Sequence, residues 1–307
     1  MMKKIWMYMA VVCAVCLSSC AEQKSCTEVN WATFNIRYAN PNDSLDFWGH
    51  RKDTVASFIL ANNLDIVGMQ EVLHSQMEDL KARLPEYEAV GVGRDDGKQR
   101  GEYSPLFFKK DRFEVLDSNT FWLSQYPDSV GFIGWDGACC RIATWAKLKD
   151  KKNGQVFMAV NTHFDHVGVE AQKNGALLII EKIKEIVGDQ PAVLTGDFNV
   201  TDDSETYATI VSNEFVLKDA QKIAKTVEGV GHTFHGFGKI PAEKCKKIDF
   251  VFVTPQIQVE RSFIPANVEG QPGKNLSDHN PQIVKVSFKE DRFGYSRCHS
   301  ERSEESQ

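Results

Sequence analysis

The sequence has no cysteine pattern that indicates a zinc site and no excess of basic charge. Its five cysteines beyond residue 20 include no Cys-x-x-Cys pair of the kind found in zinc knuckles; they are Cys26, Cys139, Cys140, Cys245 and Cys298. The sequence leaves open a disulfide from Cys139 or Cys140 to Cys245. The formal net charge of −6 argues against a broad basic surface for long nucleic acid, although local basic spots are compatible with it.

The N-terminus has the pattern of a secretion signal. Lys3 and Lys4 precede an uncharged apolar run, residues 5–17, which is too short for a membrane-spanning helix and is followed by Ser-Ser-Cys20. We predict a signal peptide over residues 1–19 and a short tether over 20–27 in which Cys20 is lipidated. A plain signal peptide cut nearby is the alternative. The lipoprotein hypothesis places the protein in the cell envelope, on the periplasmic or outer-membrane face.

The remaining sequence has the composition of an ordinary globular protein. Of the 307 residues, 42% are hydrophobic and 25% are charged. We predict a single domain over residues 28–290 and expect a monomer. Residues 291–307 are polar and have no periodicity, so we predict a disordered tail there.

Polar side chains follow the apolar runs that we predict as buried strands. In the central example, Pro191 to Leu194 reads as a strand that Gly196 breaks before Asp197 and Asn199. Similar groups stand at the ends of other predicted strands: Asn35, Glu71, His163, Asp249, and Asp278 with His279. Six strand ends with such groups are hard to explain as helix or turn caps. Carboxylates, amides and histidines without cysteine suit Mg²⁺ or Mn²⁺.

Two loops and one helix carry further candidates. The aromatic, glycine-rich loop over residues 124–138 contains Trp135, and it is either a packed loop or a wall that stacks on substrate. His235 lies in an irregular region that we predict to extend through Gly238. A predicted helix ending at Val187 has an apolar face formed by Ala176, Leu177, Ile180, Ile183 and Val187.

The polar strand ends form an ordered series of short motifs: Thr33-Phe-Asn-Ile-Arg37, Gln70-Glu-Val72, Asn161-Thr-His-Phe164, Gly196-Asp-Phe-Asn199, Ile248-Asp-Phe250 and Ser277-Asp-His279. In this order they resemble the endonuclease/exonuclease/phosphatase (DNase I-like) superfamily over residues 28–288. The resemblance implies an α+β fold, a four-layer α/β/β/α sandwich in which two mixed β-sheets pack face to face. It also implies an active site at one end of the sandwich.

The resemblance implies a role for each motif residue. Glu71 resembles the family's metal ligand, with Asn35 as a ligand or ligand positioner and Asp278 facing the metal. Asp197 resembles the residue that activates the attacking water, and Asn199 the amide that holds phosphate or metal.

Two histidines complete the implied catalytic set. His279, backed by Asp249, and His163 resemble the histidines that contact phosphate. Glu102 is the candidate acid that supports His163, and Arg141 is a candidate phosphate contact. Trp135 and His235 are further candidates for substrate binding.

These features predict a Mg²⁺- or Mn²⁺-dependent phosphoester hydrolase that works by in-line attack of activated water. The predicted substrate is a small phosphoester, a nucleotide or a phospholipid head group. An extracytoplasmic nuclease on DNA or RNA is the alternative, disfavoured by the acidic net charge. A binding lipoprotein without catalytic activity is the third hypothesis, but it would require lost catalytic residues, and all the expected ones are present.

Overall fold

A computed structural model describes residues 27–188, 190–212, 217–266 and 275–289. The predicted signal peptide (1–19), Cys20 with its predicted lipidation, nearly all of the predicted tether (20–27) and the predicted tail (291–307) lie outside the described residues. Among the described helices, none combines the length and the apolar character that crossing a membrane requires.

The described residues form strands and helices in a mixed order, with β3 to β7 following one another without a helix. The strands are β1 (Val29–Asn35), β2 (Ile66–Gln70), β3 (Tyr87–Val90), β4 (Leu106–Lys109), β5 (Phe113–Trp122), β6 (Ile142–Asp150), β7 (Val156–His163), β8 (Ala192–Asp197), β9 (Lys218–Asp219), β10 (Thr226–Gly229), β11 (Asp249–Val253), β12 (Ile257–Ile264) and β13 (Gln282–Phe288). The helices are α1 (Trp48–Ala61), α2 (His74–Arg83), α3 (Val169–Val187), α4 (Glu205–Val211) and α5 (Ala220–Ile223), with short 3₁₀ turns at Pro41–Asp46 and Ala242–Lys244.

Two mixed sheets form the centre of the fold. The first has the strand order β10-β12-β13-β1-β2-β4-β3 and the second β5-β6-β7-β8-β11-β9. Their inner faces share a core that includes Trp31, Phe108, Phe157 and Val251. This arrangement confirms the predicted sandwich of two sheets packed face to face.

The helices cover the outer faces of the sheets. Helices α1 and α2 pack on the first sheet through residues such as Val55 and Leu80, which lie in one core cluster with Phe34 of β1. Helix α3 packs on the second sheet through its buried Ile179 and Ile183. The four predicted layers are therefore all present.

Three local predictions were wrong. Gly196 does not break its strand, because β8 continues to Asp197; the residue is glycine because a Cβ there would lie 2.7 Å from the carbonyl oxygen of Thr162. Leu177 is exposed, and Ile179 takes its place in the core. The region predicted as irregular through Gly238 contains β9, α5 and β10, which are too short and polar to show a periodic pattern.

A buried amide joins the two sheets near the catalytic end. Asn161 of β7 is fully buried, and its oxygen accepts from Gln70 Nε2 at 2.7 Å and from Thr195 Oγ1 at 3.0 Å. Its Nδ2 donates to the carbonyl oxygens of Met69 and Pro105, at 2.6 and 3.0 Å. All the hydrogen-bonding groups of this amide are therefore satisfied, and its bonds to Gln70, Met69 and Pro105 cross the interface between the sheets.

We expect Asn161→Leu, which keeps the number and branching of the side-chain heavy atoms, to lower the free energy of unfolding by about 3 kcal/mol or more, because it leaves several buried polar groups without partners. Equilibrium unfolding in urea measures this change. Asn119→Ala, at an exposed position on β5, is the matched control and is expected to change stability by less than about 0.5 kcal/mol. Equal stabilities of the two variants would contradict the role given to Asn161.

Candidate active site

Strand register aligns three candidate residues at one end of the second sheet. His163 at the end of β7 pairs with Asp197 at the end of β8, and Asp197 pairs with Asp249 at the start of β11. Residues that are direct neighbours across a sheet point to the same face. All three are buried, and Asp197 is only 2% exposed.

The first sheet contributes an amide and a carboxylate to the same place. Asn35, at the end of β1, donates from Nδ2 to Asp197 Oδ2 at 2.9 Å and to Glu71 Oε1 at 3.1 Å. Its Oδ1 accepts from the backbone N–H of Arg37 at 3.0 Å. In this arrangement Asn35 is a positioner that holds two carboxylates, since both ends of its amide are engaged.

Three non-glycine residues at this end have left-handed backbone conformations. Arg37, Glu71 and Asn199 have φ of 59°, 60° and 53°. Such values are uncommon outside glycine and cluster at functional sites. Each residue follows a strand that ends at the site, so the turn it makes directs a side chain inward instead of continuing the sheet.

His279 is held by a carboxylate. Its Nδ1 lies 2.8 Å from Asp249 Oδ2, and its Nε2 lies 3.8 Å from Asp197 Oδ2. Burial lowers the pKa of His279, but the charge and hydrogen bond of Asp249, with the charges of Asp197 and Asp278, outweigh burial and raise this pKa to about 10. The imidazole is therefore cationic at neutral pH, with Nε2–H as its second donor.

Asp197 lies among these groups with an acid strength suited to proton transfer. Burial and the charge of Asp249 raise the pKa of Asp197 to about 7, against the opposing effect of His279 and the hydrogen bond from Asn35. A carboxylate with a pKa near the working pH is an effective general base.

His163 is the neutral counterpart of His279. Burial and the nearby positive charges of Arg141 and Arg94 lower its pKa well below the usual value. Its Nε2 accepts from Asn199 Nδ2 at 3.1 Å, which places the ring proton on Nδ1. That Nδ1 has no hydrogen-bond partner among the described residues.

The predicted support of His163 by Glu102 is not a hydrogen bond in this structure. Glu102 Oε2 lies 3.8 Å from His163 Nδ1. Arg94 binds both oxygens of Glu102 instead, at 2.8 and 3.2 Å. Sequence analysis missed Arg94, which lies in a charged loop without any motif.

Carboxylates converge on the side of the site nearest the first sheet. Burial and the negative charges of Asp278 and Glu102 raise the pKa of Glu71. Arg37 is the cation near both carboxylates, 3.7 Å from Glu71 and 4.0 Å from Asp278. These crowded oxygen donors fit a hard divalent cation such as Mg²⁺, which would relieve their repulsion.

A second group of potential ligands lies deeper. Donor atoms of Asp197, Asp249 and His279 lie within 4.8 Å of one another, so this buried cluster can also hold a metal. However, His279 Nδ1 is bound to Asp249, and its high pKa keeps the ring charged. A cationic imidazole is a poor ligand, and the Glu71 and Asp278 carboxylates fit a metal better.

These groups line a cavity of about 490 Å³ at the end of the sandwich. Its walls include Glu71, Asp197, Asn199, Asp278, His163, His279, Glu102, Arg37, Arg94, Arg141 and His166. Two predicted substrate residues lie elsewhere: Trp135 does not line this cavity, and His235 lines a neighbouring one of about 340 Å³. The ring Nδ1 of His235 accepts from the N–H of Gly238, and burial lowers the pKa of this histidine to about 4.

The cysteines described here are all free thiols. Cys140 is buried, and Cys139 and Cys245 are partly buried. The disulfide to Cys245 left open by the sequence is therefore not formed. Cys139 lines the cavity.

Comparison with known proteins agrees with this geometry. The model of the endonuclease/exonuclease/phosphatase family matches residues 32–279. A crystal structure of an endonuclease/exonuclease/phosphatase from Bacteroides vulgatus is 65% identical, with a TM-score of 0.84 and coverage of 86% of this chain and 100% of that chain.

Two further relatives are more distant. A mannosyl-6-phosphatase from Bacteroides thetaiotaomicron is 36% identical, with a TM-score of 0.80 and coverage of 85% and 100% of the two chains. An uncharacterised protein of Acanthamoeba polyphaga mimivirus is 30% identical over 251 residues, covering 77% of this chain and 91% of that protein.

We expect the metal-free protein at pH 8 to contain a protonated His279 and a neutral His163, because their pKa values shift in opposite directions. The raised pKa of His279 stabilises the fold fully below the ordinary histidine value of about 6.5 and loses this effect as the pH rises through about 10. NMR of the imidazole nitrogens measures both states. Asp249→Asn is expected to lower the pKa of His279. A neutral His279 at pH 8 in the unsubstituted protein would contradict this assignment.

Proposed function

The chain belongs to the endonuclease/exonuclease/phosphatase family, whose members hydrolyse phosphoester bonds, and from this premise we propose that it is a metal-dependent hydrolase of small phosphoesters. The observation that carries the proposal is the trio of Asp197, His279 and His163 in one cavity. These residues combine a carboxylate with a pKa near 7, a charged imidazole and a neutral imidazole. Hydrolysis at phosphorus needs a base for water and donors for the phosphoryl oxygens.

Family members generally use divalent metals, and we assign Mg²⁺ or Mn²⁺ to the carboxylates of Glu71 and Asp278. When bound, such an ion supplies charge neutralisation at the phosphoryl oxygens. Asn35 holds the Glu71 carboxylate from one side, and the backbone N–H of Tyr38 donates to its other oxygen at 3.1 Å. These bonds orient the Glu71 carboxylate before it binds a metal ion.

Each remaining residue of the cavity then has one task. Asp197 accepts the proton of the attacking water, held in place by the amide of Asn35. His279 donates from Nε2 to a phosphoryl oxygen, while Asp249 fixes the ring through Nδ1. His163 donates from Nδ1, because Asn199 occupies its other nitrogen. Arg141 adds a guanidinium that can bind two phosphate oxygens at once.

Cavity size and relatives favour a compact substrate. A space of about 490 Å³ accommodates a small molecule. The similarity to a mannosyl-6-phosphatase supports a small phosphomonoester as the first substrate class to test.

We further propose that the protein is an extracytoplasmic lipoprotein attached through Cys20. The tether would join the sandwich at the start of β1, whereas the cavity lies at the end of β1, about 20 Å away at about 3.3 Å per residue. The cavity would then face away from the membrane. This orientation favours soluble phosphoesters over phospholipid head groups.

We expect the soluble domain, residues 21–290, to hydrolyse a small phosphoester with Mg²⁺ or Mn²⁺ and to lose that activity in EDTA, because the crowded carboxylates require a cation. The panel contains p-nitrophenyl phosphate, bis-p-nitrophenyl phosphate, sugar phosphates, nucleotides, sphingomyelin vesicles and plasmid DNA. Turnover that persists in EDTA would contradict the metal dependence. Faster cleavage of the plasmid than of any small ester would favour the nuclease hypothesis.

We expect Asp197→Ala and His279→Ala each to reduce kcat at least a hundredfold without unfolding the protein, because each removes a proton-transfer or charge-stabilising group. Steady-state kinetics and circular dichroism measure the two effects. Asp117→Ala, at an exposed carboxylate on β5, is the control and is expected to keep normal kcat. Near-normal kcat in either cavity variant would refute the proposed roles.

A further inference from the structure

Arg141 has buried hydrogen-bonding capacity that the described protein does not use. The residue is 6% exposed, directly precedes β6 and lines the catalytic cavity. Its Nε and Nη1 have no hydrogen-bond partner among the described residues. A buried, permanently charged donor without a partner is costly, so its N–H groups are arranged for a ligand that the chain itself does not supply.

The neighbouring carboxylate of Asp165 balances the charge of Arg141 but does not orient it. Asp165 Oδ2 lies 3.7 Å from Arg141 Nε, beyond hydrogen-bond distance. The oxygens of Asp165 instead accept hydrogen bonds from backbone N–H groups: those of residues 167 and 168 at 2.9 and 2.8 Å, and that of residue 138 at 3.0 Å. These bonds anchor the loop that leads into Arg141.

A single side chain among the described residues lies within hydrogen-bond distance of the guanidinium. His166 Nδ1 lies 3.1 Å from Arg141 Nη2, and His166 is exposed at the rim of the same cavity. The contact requires a lone pair on Nδ1, because a guanidinium only donates. A protonated His166 would lose this lone pair and would repel Arg141.

We propose that His166 is a positioning residue that holds the plane of the Arg141 guanidinium so that its free N–H groups meet the phosphoryl oxygens of the substrate. This inference rests on the proposed phosphoester chemistry and extends it to a residue that touches neither the metal ligands nor the reacting atoms. The role depends only on a hydrogen-bond acceptor at the position of Nδ1. The amide oxygen of asparagine can take that position.

The test compares His166→Ala with His166→Asn. We expect His166→Ala to raise both the KM for the substrate and the inhibition constant of inorganic phosphate about tenfold, because the loss of a hydrogen bond to a charged group weakens binding by about this factor. We expect kcat to stay within about threefold of the unsubstituted value. We expect His166→Asn to restore both constants to within about threefold of the unsubstituted protein. His50→Ala, which removes an exposed histidine on α1, is the matched control and is expected to change neither constant.

Direct titration of inorganic phosphate by calorimetry separates this inference from the proposed function. Weaker phosphate binding in His166→Ala, with recovery in His166→Asn, supports the positioning role even if no ester in the panel is hydrolysed. Unchanged phosphate binding in His166→Ala overturns the inference even if the enzyme is fully active. Equal losses in the alanine and asparagine variants also overturn it, since they would point to packing or local folding instead of the acceptor.

Discussion

The cavity depends on the crowding of carboxylates where water is scarce. Asp197, Asp249 and Asp278 are each less than 10% exposed, and Glu71 lies beside them. Carboxyl groups this close together and this deeply buried cannot all carry a negative charge without compensation. The surrounding structure supplies that compensation through His279, through the amide of Asn35 and through Arg37. The negative charge of Glu71 is only partly balanced by these groups, and a divalent cation would supply the missing positive charge.

This crowding is possible because the two sheets approach closely at their catalytic end. A Cβ on Gly68 of β2 would lie 2.3 Å from Thr195 Oγ1 and 2.6 Å from Asn161 Oδ1, so only glycine fits there. The close approach lets Asn35 of one sheet reach Asp197 of the other at 2.9 Å. Buried polar contacts between the sheets therefore set the distance at which the catalytic groups meet.

The sequence predicted which residues form the site better than it predicted their spatial arrangement and their hydrogen-bond partners. Polar groups at strand ends were identifiable because each lies at or near one end of an apolar run, and the order of the motifs carried the family resemblance that implied the four layers. The alignment of His163, Asp197 and Asp249 across three strands follows from register, which no local pattern shows. Pairing of Glu102 with Arg94 likewise depends on a loop whose path is set by tertiary contacts.

The two cavity histidines illustrate why residue type alone does not define a role. His279 has a buried carboxylate at Nδ1 and carries a charge, whereas His163 faces two guanidinium groups and stays neutral. Both retain one N–H for a phosphoryl oxygen, yet one brings a full positive charge and the other only a dipole. If both were charged, mutual repulsion and repulsion from Arg141 would destabilise the cavity. If both were neutral, Asp197 and Asp249 would lose the positive charge of His279 beside them before metal binds. The asymmetry is therefore a requirement of the charge balance, and it arises from the charged groups that surround each histidine.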